Sequence, residues 1–321
     1  MQIVVLLAAF NGEKYIEEQL RSLEKQTFRD FFCYIHDDGS SDKTPQIAED
    51  FCLDHADRFS MLHYPGTGGA SENFLSMLKE VDAPYVMFCD QDDIWLENKI
   101  ELTLSAMLKE EMEHPNLPVL VCTDSIITAE DTTVISRSFL RYSGYYRNSS
   151  GLPVSLFSDN NAQGATIMMN RALCGIIKRC GFPKEINMYD HWCALVAEAT
   201  GIAKCIDTPT MLYRQHKGQT VGAEPVMKAC FAERGARWIF GTLKKEKIQQ
   251  MSDTISVAQR IMTLPNLPEE SFVFLTELLN TAGTSFFSAL RFLNRNCAPL
   301  PNTTKWKQAY LLHLTEKISG H

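Results

Sequence analysis

Tyr85-Val86-Met87-Phe88-Cys89-Asp90-Gln91-Asp92-Asp93-Ile94-Trp95 is an apolar run that stops at three carboxylates within four positions. A run of this length and composition reads as a buried strand, and open α/β sheets bind ligands just beyond the carboxyl ends of such strands. Carboxylates set this close repel one another unless fully solvated, so the arrangement favours a divalent cation held by hard oxygen ligands. A solvated acidic turn that caps the next helix is the other use of the same residues. Cys89 and Trp95 put apolar side chains on either flank, which favours a pocket.

Upstream of that stretch the pattern repeats. Gln2 to Ala9 is nearly continuous apolar chain and breaks at Asn11-Gly12 into a helical pattern through Ile16, Leu20 and Leu23. Phe31 to Ile35 is a second strand, followed by His36-Asp37-Asp38-Gly39-Ser40-Ser41-Asp42-Lys43-Thr44-Pro45, so a second strand ends in paired carboxylates. Gly39 supplies a turn, and Ser41 or Asp42 is suited to cap a helix from Pro45 through Phe51. Ser60 to Tyr64 reads as a short third strand, and Pro65-Gly66-Thr67-Gly68-Gly69 bends the chain into a helix from about Ser71 to Lys79. That glycine loop lacks the third glycine of a dinucleotide fingerprint and the Gly-Lys-Ser/Thr of a P-loop, so it reads as a flexible turn. Downstream, Glu97 to about Glu113 is a long amphipathic helix. Strands alternating with helices predict a mostly parallel sheet with right-handed crossovers, presenting Asn11-Gly12, Asp37-Asp38 and Asp90 to Asp93 on one rim.

The whole chain has 321 residues, 45% of them hydrophobic and 22% charged, the balance of a folded globular protein. Its net charge of -8 argues against binding duplex nucleic acid, which needs a basic face, but allows a nucleotide held through a metal. Ten cysteines fall mostly inside apolar runs with no C-x-x-C pair, and they are expected to be reduced core thiols of a cytoplasmic protein. Ile3 to Phe10 is too short for a signal core, and no apolar stretch approaches 18 uninterrupted residues, so neither a leader nor a membrane span is expected.

Four motifs in order, Ala9-Phe10-Asn11-Gly12-Glu13-Lys14-Tyr15-Ile16, Gln26-Thr27-Phe28, Asp37 to Thr44 and Cys89 to Trp95, resemble the family 2 glycosyltransferases, and among them the rhamnosyltransferase-like enzymes of bacterial surface polysaccharide synthesis. The resemblance continues through Asn161 to Gly164, Tyr189-Asp190-His191-Trp192 and Tyr213-Arg214-Gln215-His216, and covers roughly residues 1 to 225. It implies a GT-A fold: α/β, a Rossmann-like mixed, mostly parallel sheet flanked by helices, here with a helical C-terminal extension. It also implies a hexosyltransferase that takes a sugar, rhamnose being the best guess, from a dTDP or UDP donor to a saccharide or lipid-linked saccharide. The residues that match the donor site are Ala9, Phe10, Asn11, Glu13, Asp37, Asp38, Asn73, Asp90, Gln91, Gly164 and Arg214. Asp37 or Asp38 would accept from the pyrimidine ring nitrogen. Asp92, the second acid of a D-x-D element, and His216 match the ligands of Mg²⁺ or Mn²⁺. Asp93, Trp95, His191 and Trp192 match positions that meet acceptor or donor sugar, and Asp190 matches the general base. Asp190 also precedes an apolar helix, Cys193 to Ala199, and an N-cap is its other use.

Glu130 to Asp159 interleaves Arg137, Arg141, Tyr142, Tyr145, Tyr146 and Arg147, the residues of an acceptor-side lid, of a plain surface insertion or, less in keeping with the rest of the chain, of a nucleic-acid contact. From Val226 onward Lys plus Arg is 12 and Asp plus Glu is 7, so this part carries +5 and residues 1 to 225 carry -13. Leu275, Leu279, Ala282, Phe286, Leu290 and Leu293 mark one amphipathic helix, which either packs on its own domain or lies on a membrane surface near a lipid-linked acceptor. Two domains are therefore expected, 1–225 for donor chemistry and 226–321 for acceptor, membrane-surface or oligomer contact. A nucleotide-sugar or metal-binding protein without turnover, and a sugar nucleotidyltransferase, are the competing functions. The first gives no reason for an acid at 190, and the second would be expected to need a basic glycine-rich diphosphate loop, which is not found.

Overall fold

The structure is a computed structural model describing residues 2–143, 151–157, 162–183, 186, 188–217, 223, 242–298, 300 and 302–315. Nine strands form one sheet: β1 (Ile3–Ala9), β2 (Phe31–Asp37), β3 (Phe59–Met61), β4 (Tyr85–Asp90), β5 (Ile94–Trp95), β6 (Val119–Thr128), β7 (Val134–Ser136), β8 (Ile167–Asn170) and β9 (Ile202–Arg214). The order is β3-β2-β1-β4-β8-β6-β9-β5, with β7 pairing the carboxyl end of β6 beyond the residues that β8 pairs. β3, β2, β1 and β4 are mutually parallel; β8 enters antiparallel between β4 and β6; β9 runs parallel to β6. The carboxyl ends of β1, β2, β4, β6 and β9 therefore share one rim, which bears Ala9, Asp37, Asp90, Thr128 and Arg214. Chain order reverses across β1 and β4, and loops that splay apart at such a switch leave a crevice.

β1 shows why the sheet forms. Val4 and Leu6 enter one hydrophobic cluster while Ile3, Val5 and Leu7 enter the other, so the strand is buried on both faces, as a continuous apolar run requires. Helices α1 (Ile16–Glu24), α2 (Thr44–Asp54) and α4 (Lys99–Glu113) supply the second cluster. Helices α3 (Ala70–Glu80), α7 (Arg171–Cys180) and α8 (Tyr189–Thr200) supply the first, with the short α5 (Phe139–Tyr142) and α6 (Leu152–Ser155) between β7 and β8.

Beyond residue 225 the described chain is helical: α9 (Thr242–Met262), α10 (Glu269–Thr281), α11 (Phe286–Asn296) and α12 (Asn302–Leu314). The stripe expected as one amphipathic helix is two. Gly283 at φ +70° turns the chain after α10, and Ser285 caps α11 by accepting from the Ser288 N–H. Its apolar face does not lie open: Leu275, Leu278, Phe292 and Leu293 are buried in the cluster that holds Trp192 and Val196. None of the helices among the described residues is long and apolar enough to cross a membrane.

The expectation that every cysteine is a free thiol is corrected. Cys122 and Cys205 are bonded, their Cα atoms 4.7 Å apart. They are register partners on β6 and β9, and at 83 positions apart no local spacing betrays the pair. Cys33, Cys52, Cys89, Cys174, Cys193 and Cys297 are buried and free.

Candidate active site

Three strand ends build the rim, and hydrogen bonds fasten them to one another. Gln91 clamps the end of β1: its Oε1 accepts from the Phe10 N–H (2.9 Å) and its Nε2 donates to the Phe10 carbonyl (2.7 Å), completing a main-chain pair with a side-chain amide. Gly12 lies against that amide, where a Cβ would collide with the Gln91 side chain. Asn11, at φ +48°, accepts from the Ser41 N–H (2.9 Å), and the N–H groups of Asn11, Gly12 and Glu13 donate to Ser40, Thr44 and Asp42. Glu13 in turn accepts from the Lys43 N–H (3.1 Å). Phe10, 54% exposed, is the large apolar face left open on this loop.

Asp37 and Asp38 are both engaged locally. Asp37 accepts from the N–H groups of Gly39 (3.1 Å) and Ser40 (2.8 Å). Asp38 accepts from Thr67 Oγ1 (2.8 Å) and from the N–H groups of Thr67, Gly68 and Gly69, the loop that opens α3. The glycine loop is therefore a nest for a carboxylate of the chain itself. Asn73 is fully buried on α3 and pairs with His36 (2.8 Å), whose ring stacks on Tyr64 at 3.8 Å.

The acidic turn separates its three carboxylates by environment. Asp92 is half-buried on the rim, and its Oδ2 lies 2.8 Å from His216 Nε2, so two candidate metal ligands 124 residues apart meet. The pKa of Asp90 is pushed up to about 8 by burial, then by the charges of Asp92 and Asp190. Asp93 is buried, 1% exposed, and held well above the carboxylate range by burial and by Asp92 and Asp90. It accepts from the Arg214 N–H at 3.3 Å. Behind the turn Arg214 spends its fork on protein: Nε donates to the Asp92 carbonyl (3.0 Å), one terminal nitrogen to the Glu130 carbonyl (2.9 Å) and the other to Glu18 (2.6 Å). Its guanidinium also lies 5.1 Å from the centre of the Tyr15 ring, and Tyr15 packs at 4.6 Å on His216.

Asp190 occupies the first turn of α8, not its cap, which is Met188. Its Oδ2 accepts from the Gly164 N–H (2.9 Å) and its Oδ1 from the His191 N–H (2.7 Å). Gly164 has no room for a Cβ because the Tyr189 hydroxyl fills that space. Asp190 is therefore inside the cap position, where it still takes one first-turn N–H of α8, and its charge helps to raise the pKa of Asp90.

Four other expectations are corrected by burial and bonding. Trp95 (2% exposed) and Trp192 (0%) are core residues and cannot face a sugar. Arg214 and Gln91 hold the turn and the β1 loop with the groups expected to meet the donor. His191 is half-buried, its Nε2 3.4 Å from the Ser155 carbonyl. Asn161 lies outside the described residues, as do Tyr145, Tyr146 and Arg147. Sequence reasoning missed Glu18, Tyr15, Glu130 and Thr44, whose partners are far along the chain, and also Lys99. That lysine is wholly buried at the start of α4, donates to Thr210 Oγ1 (3.0 Å) and lies 4.8 Å from the centre of the Trp95 ring.

The arrangement fits a divalent cation. Ligand atoms at 2.0–2.1 Å in cis positions stand about 3 Å apart, and the carboxylate and imidazole atoms of Asp92 and His216 already do. Burial and one another's charges push Asp90 and Asp93 beside them upward, a repulsion that a cation would relieve. Glu110, Glu113 and His114 also cluster, but at the far end of α4, roughly 20 Å along a helix that leads away from the rim.

Residues 4–149 match the model of glycosyl transferase family 2. The dTDP-rhamnosyl transferase RfbG of Shigella flexneri is 30% identical over 71% of this chain and 78% of its own. A second relative, the Escherichia coli UDP-Glc:alpha-D-GlcNAc-diphosphoundecaprenol beta-1,3-glucosyltransferase WfgD, is 29% identical over 34% of this chain and 42% of its own. Among solved structures, residues 1–349 of S. aureus TarS in complex with UDP-GlcNAc superpose with a TM-score of 0.52 at 17% identity, covering 98% of this chain and 90% of that one.

Proposed function

The chain belongs to glycosyl transferase family 2, and from that premise we propose that it is an inverting, metal-dependent enzyme moving a sugar from a nucleoside diphosphate to a saccharide or lipid-linked saccharide. The observation that carries the reading is the convergence of Asp92 with His216 on the rim, beside an Asp90 whose pKa the charges of Asp92 and Asp190 help to raise. A dTDP donor and rhamnose follow from the likeness to the Shigella rhamnosyl transferase.

Asp92 and His216 would hold Mg²⁺ or Mn²⁺, which when bound would neutralise charge on the leaving nucleoside diphosphate. Phe10 offers its exposed ring to the base, and the Asn11–Glu13 loop, stapled to the β2 loop, fixes where that ring stands. Asp37 retains lone pairs for a base or ribose donor, whereas Asp38 acts through the glycine loop it holds. Arg214 and Asp93 keep the acidic turn in place.

Asp190 is the general base. An acceptor hydroxyl is a poor nucleophile at neutral pH, and a carboxylate within hydrogen-bond reach takes its proton as the new bond to the anomeric carbon forms. The Gly164 N–H fixes one carboxylate oxygen. A base on the face opposite the leaving diphosphate gives in-line displacement and an inverted product.

Calorimetric titration of dTDP and UDP with and without Mn²⁺ tests the donor site. Nucleotide binding should require the cation and weaken at least tenfold in Asp92→Asn and His216→Ala. Equal affinity in EDTA, or in both variants, would defeat the metal assignment.

A further inference from the structure

A cavity of about 290 Å³ opens between β6, β9 and α5, with Arg137 and Arg141 on its wall. We infer that it is a subsite for a phosphate or diphosphate group of the acceptor, an inference that rests on the transferase reading above.

Its shape comes from β9. Thr123 and Ile126 of β6 face Ile206 and Leu212 of β9, so β9 carries the extra residues and bulges outward, re-aiming Asp207 and Pro209 into the cavity wall. The wall carries two carboxylates, Asp124 and Asp207, beside the two guanidinium groups, and each carboxylate is engaged elsewhere. Asp124 is taken by the Leu140 N–H (3.2 Å), the Ser125 N–H (2.9 Å) and the Ser138 hydroxyl, donors that pin the start of α5. Asp207 likewise has partners of its own. Among the described residues, neither the Arg137 nor the Arg141 guanidinium meets a carboxylate. Both residues are exposed and one turn of chain apart, Arg141 held by its N–H to Ser138 Oγ (3.2 Å). Two unpaired planar forks on one concave wall match the oxygens of a phosphate bidentately.

A short run of hydrogen-bonded neighbours links the cavity wall to the reaction centre. Ser125, next to Asp124, donates to Gln163 Oε1 at 2.5 Å, and the following residue, Gly164, holds Asp190. Along β9 the path from Pro209 to Arg214 on the rim is on the order of 15 Å. An acceptor anchored there by its phosphate would direct its sugar toward Asp190.

The test uses geranyl diphosphate as probe, titrated calorimetrically into the full chain in EDTA, where metal-assisted binding at the acidic turn is silent. Wild type and Asp92→Asn should bind it equally, and R137Q/R141Q at least tenfold more weakly. The double variant should keep wild-type affinity for UDP and dTDP with Mn²⁺, which also reports its folding. Inorganic pyrophosphate, run in parallel, distinguishes the source: equal affinity supports recognition of phosphate alone, and weaker but arginine-dependent binding supports a lipid-linked diphosphate. No binding by wild type, binding undiminished in the double variant, or binding lost in Asp92→Asn would overturn the subsite. Because nucleotide binding with Mn²⁺ is read separately, failure here differs from failure of the donor-site reading.

Discussion

The two oxygens of Asp190 have different neighbours, and that difference makes one substitution informative. Oδ2 takes the Gly164 N–H and Oδ1 the His191 N–H, so Asn keeps one acceptor oxygen but cannot take a proton. Losing one such hydrogen bond costs about 0.5–1.5 kcal/mol, whereas losing a general base costs about 10²–10⁴-fold in rate. Asp190→Asn should keep donor affinity and nearly all of its melting temperature while transfer to acceptor falls by that factor. Near-normal transfer, or a product of retained configuration from the wild type, would remove Asp190 from the mechanism. At this scale the sequence was legible where chemistry is local, and the acidic strand end of Asp90 to Asp93 stands where it was expected. What each acid touches was not legible. Asp92 meets His216, and Asp38 meets the 67–69 loop, across gaps that no spacing rule covers.

Among the elements, α4 begins with an expense that its pattern hides. Lys99 is wholly buried, and burial depresses its pKa to about 7, with the charges of Cys89 and Asp93 opposing that fall. The unfolded chain holds the same proton up to about pH 10.4. Below pH 7 both states are protonated and the full cost of burying the ammonium is present. Between about 7 and 10 the folded state has shed the proton and the unfolded state has not, so this residue's contribution to stability rises with pH, by up to about 1.4 kcal/mol per unit. Asp90, raised to about 8, runs the other way: it weakens the fold as pH climbs from about 4 toward 8. The reading therefore needs a difference between proteins. Lys99→Met, which keeps the stem, should be the more stable protein at pH 6, with the gap narrowing as pH rises from about 7 to about 10. Parallel stability curves for the two proteins would show that the ammonium is not buried. The parallel strands of the first half were legible because each is an apolar run ending in Gly, Asn or Asp. The antiparallel insertion of β8 and the bulged β9 were not, since strand direction and bulges are set by which neighbours the strand finds.

Across the whole molecule the composition shift near Val226 marks a change of architecture, from sheet to helices, but the packing does not stop there. Ile255, Ala258 and Ile261 of α9, with Leu275, Leu278 and Leu293 of α10 and α11, share one buried cluster with Leu173 and Ile177 of α7 and with Trp192 and Val196 of α8. Polar ties cross as well: Arg260 donates to the Cys180 carbonyl (2.9 Å) and Gln308 to the Phe157 carbonyl (3.2 Å). The amphipathic stripe was legible as helix from its spacing, but whether its apolar face met protein or lipid depended on whether α7 and α8 had an apolar side left to cover. They did. A chain ending at residue 225 would bare that side of α7 and α8, an apolar patch well above what monomers tolerate. The donor rim is built from β1, β2, β4 and β9, whose other cluster contains no residue beyond Met211 and Tyr213. The truncated protein should therefore aggregate and melt at a lower temperature. In the fraction held monomeric by detergent, it should still bind UDP or dTDP with Mn²⁺ at close to full-length affinity. Size-exclusion chromatography and nucleotide titration read the two halves of that expectation. A soluble monomer with unchanged melting would make the helices a separable module, and a folded monomer that binds no nucleotide would mean that they complete the donor site.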